Sequence, residues 1–197
     1  MIAAVSDAEE SIRSARPSDA RDYAAHIARH IADSGKGDDF HYAPISDVDR
    51  DDVAHASERR WSAPVGEPGW GRAWVLVRKV SFGFLPGPSS NIVGHVELRG
   101  PTLVSALHRC ELSLGLEREY RKKGYGRALV DRALSWARSE TSLRFVDLKV
   151  FGHNEPARAL YRRCGFRETG RIDEAFVMQD GTVIDDIVMV LPLARPA

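Results

Sequence analysis

Between Cys110 and Glu117 the chain alternates without a break. Cys110, Leu112, Leu114 and Leu116 fall on one face of an extended strand, and Glu111, Ser113, Gly115 and Glu117 on the other. From Tyr125 the period lengthens: Leu129, Val130, Ala133, Leu134, Trp136 and Ala137 form a stripe at helical spacing that fades near Ser139. Phe145 to Val150 predicts another strand. A second helix opens at Asn154-Glu155-Pro156, where proline suits the first turn, and Ala157, Leu160, Tyr161 and Cys164 mark its inner side up to a glycine cap at Gly165. Phe166 to Met178 and Asp185 to Leu193 predict two closing strands around the Gln179-Asp180-Gly181 turn.

Upstream the signals are weaker. Residues 1–10 form a polar leader, Ile12 to Ala15 a short strand, and Ser18 the N-cap of a helix carrying Tyr23, Ala24, Ile27, Ala28 and Ile31 until Ser34-Gly35-Lys36-Gly37. A further helix is expected from about Asp47 to Arg60. Ala73 to Val80 and Ile92 to Leu98 are apolar runs around the glycine-proline turn region Phe82 to Ser90, and they predict an antiparallel hairpin. Strands before and after the helices make this a mixed α/β chain: a central mixed, mostly antiparallel sheet with helices on both faces.

At 197 residues, 43% of them hydrophobic, the chain suits one core, so residues 11–194 are expected to form a single domain. Twenty-eight basic and 28 acidic residues cancel to a formal net charge of zero. That removes the long-range cationic field of a nucleic-acid binder. Met1 to Glu10 lacks a basic n-region and an apolar h-region, and no stretch approaches the roughly 20 apolar residues of a membrane span. A soluble, cytoplasmic protein with no nucleic-acid or membrane partner is expected. Cys110 and Cys164 are the two cysteines, and without a C-x-x-C pair they are expected to be core thiols.

Candidate chemistry concentrates where the alternating strand becomes a helix. Arg121-Lys122-Lys123-Gly124-Tyr125-Gly126 brings cations, flexible backbone and a helix-dipole positive end to one point, which predicts an anion cradle of diphosphate size. Two segments, ELSLGLEREYRKKGYGRALVDRALSWA and LKVFGHNEPARALYRRCGFRETGR, contain Arg-x-x-Gly-x-Gly and then Asn-x-x-Ala-x-x-x-Tyr-x-x-x-Gly-Phe. In this order and spacing they resemble the GNAT superfamily of acyl-CoA-dependent N-acyltransferases, from about Ile92 to Leu193. The resemblance implies acetyl-CoA as cosubstrate and no metal. It places Arg121, Lys122, Lys123, Gly124, Tyr125, Gly126 and Arg127 at the CoA diphosphate, Leu114, Gly115 and Leu116 along pantetheine, and Asn154 further along the cofactor. The chain departs from the family pattern at Lys122, where glycine is frequent.

The implied reaction moves an acetyl group to a primary amine by direct attack in a ternary complex; the alternative is a non-catalytic acyl-CoA-binding or sensing module. An alkylamine of pKa about 10 is protonated at pH 7, and freeing its lone pair costs roughly 4 kcal/mol. Glu111, on the polar face of the strand leading to the cradle, is the first candidate base, and Glu97 the second. Tyr161 matches the family tyrosine that protonates the leaving thiolate. A main-chain N–H near Leu116 is the candidate donor to the developing oxyanion. Acceptor candidates are a protein N-terminus, a polyamine, an aminoglycoside or another small amine, and a homodimer is common in the superfamily.

Other signals carry less. Gly124-Tyr125-Gly126 begins a dinucleotide fingerprint that fails at Leu129. Asp47, Asp49, Asp51 and Glu58 imitate a calcium loop but Asp52 stands where glycine is required, so they are read as acids opening a helix. His26 and His30 have the spacing of a helical metal pair without its companion glutamate, and are expected at the surface, though the resemblance implies that their region helps wall the acceptor pocket. Trp61, Trp70 and Trp74 cluster around a loop and are candidates for core packing or the acceptor wall.

Overall fold

The computed structural model describes residues 9–34, 48–79, 91–140, 142–178 and 180–193. Most of the expected leader, Gly35 to Asp47, Val80 to Ser90 and Gln179 lie outside the described residues. The strands are β1 (Glu9–Ser14), β2 (Gly71–Lys79), β3 (Asn91–Arg99), β4 (Arg109–Leu116), β5 (Phe145–Phe151), β6 (Arg167–Val177) and β7 (Val183–Pro192). The helices are α1 (Ala20–Ala32), α2 (Arg50–Ser62), α3 (Tyr125–Ser139) and α4 (Glu155–Arg163).

All seven strands join one sheet in the order β1-β2-β3-β4-β5-β7-β6. The β4–β5 pairing is parallel and every other one antiparallel, as the mixed pattern predicted. Its two faces bury different cores. Leu76, Val96, Leu98, Leu112 and Leu148 pack beneath the stripe of α3, with Tyr161 and Cys164 at α4 in the same cluster. Val75, Val77 and Ile92 turn the other way, against Tyr23 and Ala24 of α1 and Trp61 of α2.

Local chemistry explains several boundaries. Ser18 is not the cap it was expected to be: Pro17–Asp19 forms a 3-10 turn, and Asp19 accepts two bonds from Arg13 at 2.6 and 2.8 Å, tying β1 to the start of α1. At α2, Asp49 caps the N–H groups of Asp51 and Asp52, so the acidic run opens a helix as read. Gly165 adopts φ 97° after α4, the left-handed conformation that ends a helix. The two cysteines are buried, and burial pushes the Cys110 thiol up to about 12.

Trp70 and Trp74 belong to the core, both tilted against Trp136 of α3 with ring centres 5.7 Å away. Trp70 is fully buried, and a Cβ on Gly100 would stand 2.2–2.6 Å from its indole. Gly100→Ala is therefore expected to destabilise the fold by about 1–3 kcal/mol through overpacking. Chemical denaturation checks this; an unchanged midpoint would contradict the packing described.

Candidate active site

The parallel partners β4 and β5 stay together for three residue pairs, Arg109↔Phe145, Cys110↔Val146 and Glu111↔Asp147. Arg109 clamps the closed end with two bonds to Asp147, at 2.7 and 2.5 Å, and its guanidinium lies 4.4 Å from the Phe145 ring centre. Beyond that point the strands part. β4 remains paired with β3 as far as Gly94↔Leu116, and β5 with β7 as far as Phe151↔Asp186, so each strand is held by its outer neighbour.

Alternation decides which main-chain groups line the opening. Glu117 N–H donates to Val93 O at 3.0 Å, so Glu117 and, at two-residue steps, Gly115 and Ser113 turn their main chain toward β3. Leu112, Leu114 and Leu116 turn theirs toward β5. At the closed end His108 O accepts from Arg144 N at 2.7 Å, which confirms the same parity. Leu114 and the N–H of Leu116 therefore offer the free edge, while the side-chain position of Gly115 is closed off by the His95 ring.

Below the opening stands the cationic turn. Lys122 and Gly124 take φ 59° and 87°, and the first main-chain bond of the new helix is Ala128 N–H to Gly124 O at 3.1 Å. Among the described residues the N–H groups of residues 122–127 find no main-chain acceptor. Such alternating left-handed residues followed by a helix N-terminus form an anion-binding concavity. Gly126 is seated closely: its Cβ would meet Leu116 and Leu160 side-chain carbons at 3.4 Å. Arg121 donates to Leu116 O at 3.0 Å and stands 3.8 Å from Asp33. Lys122 and Lys123 are exposed. Arg127 bonds Asp131, at 2.9 and 2.7 Å, and the Arg163 carbonyl, so its side chain faces the helix flank.

The candidate acids and bases sit in different surroundings. Tyr161 is buried in the α3-side core, edge-on to Phe166 at 5.8 Å. Asn154 caps α4, its Oδ1 accepting from Ala157 N–H at 3.2 Å. Glu111 is the last β4 residue paired with β5, on the opposite face. It is exposed and accepts from Arg99 at 3.2 Å. Arg99, Arg109, Glu111 and Asp147 line a cavity of about 380 Å³ there. Glu97 is enclosed: it accepts from Trp61 Nε1 at 2.9 Å, Arg60 Nε at 3.1 Å and Tyr23 OH at 3.2 Å. These bonds tie α1 and α2 to β3.

The α1 histidines are buried, against the expectation of a surface position. His26 Nδ1 lies 3.0 Å from Glu117 Oε1, and its Nε2 lies 3.0 Å from Nδ1 of His95 on β3. Arg29 also reaches Glu117, at 3.0 Å from Nε. Burial lowers the His26 pKa despite the opposing carboxylate. Burial also pushes the Glu117 carboxyl up, but the His26 hydrogen bond and the Arg29 charge outweigh it and hold it below its usual value. Helical spacing alone could not show this, because the partners lie 69 and 91 residues away. The available signal was His95 beside Glu97 on one face of a strand otherwise apolar. Among the described residues no group of three or more His, Cys, Asp or Glu is arranged to hold a metal ion, and no helix is long and apolar enough to cross a membrane.

Asp147 lies inside β5 and is bound by Arg109. Comparisons with known proteins bear on the family and the fold. The spermidine N(1)-acetyltransferase of Vibrio cholerae is 34% identical over 87 residues, covering 44% of this chain and 49% of that protein. The chain thus matches about half the length of that relative. The GNAT-family acetyltransferase of Streptococcus pneumoniae superposes with a TM-score of 0.75 at 21% identity, over 93% of this chain and 99% of that one. A phosphinothricin acetyltransferase of Sinorhizobium meliloti, solved in complex with acetyl-CoA, gives 0.71 at 17% identity, over 94% and 89% of the two chains. Residues 53–166 match the model of the acetyltransferase (GNAT) family, and the chain belongs to that family.

Proposed function

We propose that the protein transfers the acetyl group of acetyl-CoA to a primary amine by direct attack in a ternary complex. The observation that carries this reading is the free edge of β4 leading into the N–H groups of residues 122–127, which among the described residues have no main-chain acceptor. A diphosphate suits that cradle, with Lys122 and Lys123 adding mobile charge and Arg121 fixing the turn to Leu116 O. Pantetheine carries amides, and the edge groups of Leu114 and Leu116 are their complement. Asn154, at the start of α4, supports the cofactor from the far side of the opening.

In this reading Tyr161 gives its phenolic proton to the departing thiolate, and the Leu116 N–H stabilises the carbonyl oxygen as charge develops. Glu111 faces the acceptor cavity and provides the negative charge that draws an ammonium group and, through water, takes its first proton. Glu97, saturated by Trp61, Arg60 and Tyr23, ties α1 and α2 to β3 instead of moving protons. The acceptor is a small primary amine or a peptide N-terminus; the Vibrio cholerae relative, named for spermidine, makes polyamines the first class to test.

Thiol release from acetyl-CoA, measured over spermidine, other primary amines and peptide N-termini, should exceed hydrolysis for at least one acceptor. Binding of CoA without release on any of them would leave a sensing module and refute the enzyme. Tyr161→Phe keeps the ring and should lower kcat by about 10²-fold, the low end of general acid–base effects, and an undiminished rate would remove the acid assignment. Gly124→Ala meets no neighbour but must hold φ 87°, a strain of roughly 1–2 kcal/mol. It should weaken CoA binding by about tenfold in calorimetry and leave kcat at saturating acetyl-CoA close to that of the parent.

A further inference from the structure

Gly115 has no side chain because a ring occupies the place of one. A Cβ there would stand 2.5 Å from His95 Cε1 and 2.9 Å from its Nδ1, with His30 Cδ2 at 3.2 Å. His95 belongs to β3, so its ring reaches across to β4, over the segment whose flanking residues Leu114 and Leu116 present their main chain to the opening.

Hydrogen bonding fixes the tautomer of this ring. The Glu117 carboxylate can only accept, so His26 Nδ1 carries the proton and His26 Nε2 is a lone pair. The 3.0 Å contact with that lone pair then requires N–H at His95 Nδ1. His95 Nε2 is left as a bare acceptor. It is buried and, among the described residues, has no hydrogen-bond partner, in a residue 1% exposed. An unpaired buried acceptor is unfavourable, and an incoming N–H would complete it. The groups facing the ring are Tyr23, His26 and His30 from α1, Arg99 from its own strand, and Glu117 behind His26. Burial, and then His26, His30 and Arg99, hold the ring well below the usual histidine value, so it is neutral at pH 7.

We infer that His95 Nε2 is a catalytic residue, the acceptor of the proton that the substrate nitrogen sheds as the new N–C bond forms, with His26 and Glu117 as positioning residues. The inference rests on the acetyl-transfer reading above. The neutral amine bonds to the thioester carbon while the C=O pair moves to oxygen. The nitrogen, now cationic and far more acidic than a free ammonium, gives its proton to Nε2. Collapse breaks the C–S bond, and the thiolate takes the Tyr161 proton. The imidazolium charge is stabilised through Nδ1–H and His26 by the Glu117 carboxylate, and its proton returns through solvent to the tyrosine. One proton is gained at His95 and one lost at Tyr161. A base weaker than the free amine suffices for this step because its donor is more acidic than a free ammonium.

The test combines ¹⁵N NMR of the histidine rings in the intact protein at pH 7 with kinetics of two variants on the most active amine of the panel. The expected tautomer has Nδ1 protonated and Nε2 bare at His95. His95→Gln should bind CoA within about twofold of the parent yet lose about 10²-fold or more in kcat. Glu117→Gln, at a partly exposed position, should lower kcat and move the acid limb of kcat/KM to lower pH, because the carboxylate that favours the protonated chain is gone. A ring protonated at Nε2, or folded variants with the parent's kcat and pH profile, would overturn the inference. If the unaltered protein releases no thiol with any amine, the acetyl-transfer reading fails and takes this inference with it; an active protein indifferent to both variants sinks the inference alone.

Discussion

Two parallel strands that hydrogen-bond for three residue pairs and then separate are the constraint on which the remaining architecture turns. The separation is imposed from outside: β4 is committed to β3 and β5 to β7, so neither can close the gap without giving up an antiparallel partner. A strand edge inside a sheet, normally satisfied, is thereby left open. The backbone then turns at Lys122 and Gly124 into α3, setting a helix N-terminus and its unpaired N–H groups directly below that edge. One irregularity in pairing thus produces both an amide ladder and an anion seat, on elements rigid enough to hold them in register.

The two faces of the sheet divide the chemistry. Beneath α3 and α4 the packing is apolar, with Tyr161 among aliphatic and aromatic neighbours. Beneath α1 and α2 buried and half-buried polar side chains accumulate: Glu97 with Trp61, Arg60 and Tyr23, and Glu117 with His26 and His95. Buried polar groups are costly unless paired, and these are paired almost completely. The networks fix α1 and α2 against β3 and β4, and they lie on the face where Glu111 meets its cavity, away from the aliphatic packing.

Local patterns made much of this legible. The alternation of Cys110 to Glu117 gave β4 and both its faces, and the change of period at Tyr125 gave α3 to the residue. The glycine at position 124 and the caps at Asn154 and Gly165 were readable because a turn or helix end depends on its own few residues. Long-range bonds were not. The groups that enclose Glu97, the second candidate base, are Trp61, Arg60 and Tyr23, which lie 36, 37 and 74 residues away. His26 looked superficial because the residues that cover it belong to β3 and the end of β4. The start of α1 was misread for a related reason: Asp19 answers to Arg13 across a turn, and Ser18 has no such role.

The most direct test of the central claim is a titration of the ¹⁵N-labelled protein with CoA, following its backbone amides. The account predicts the largest shifts at residues 122–127 and at Leu114 and Leu116, along the free edge and its cradle. Shifts confined to other surfaces, such as the cavity between Arg158 and Arg171, or none at millimolar CoA in folded protein, would contradict it.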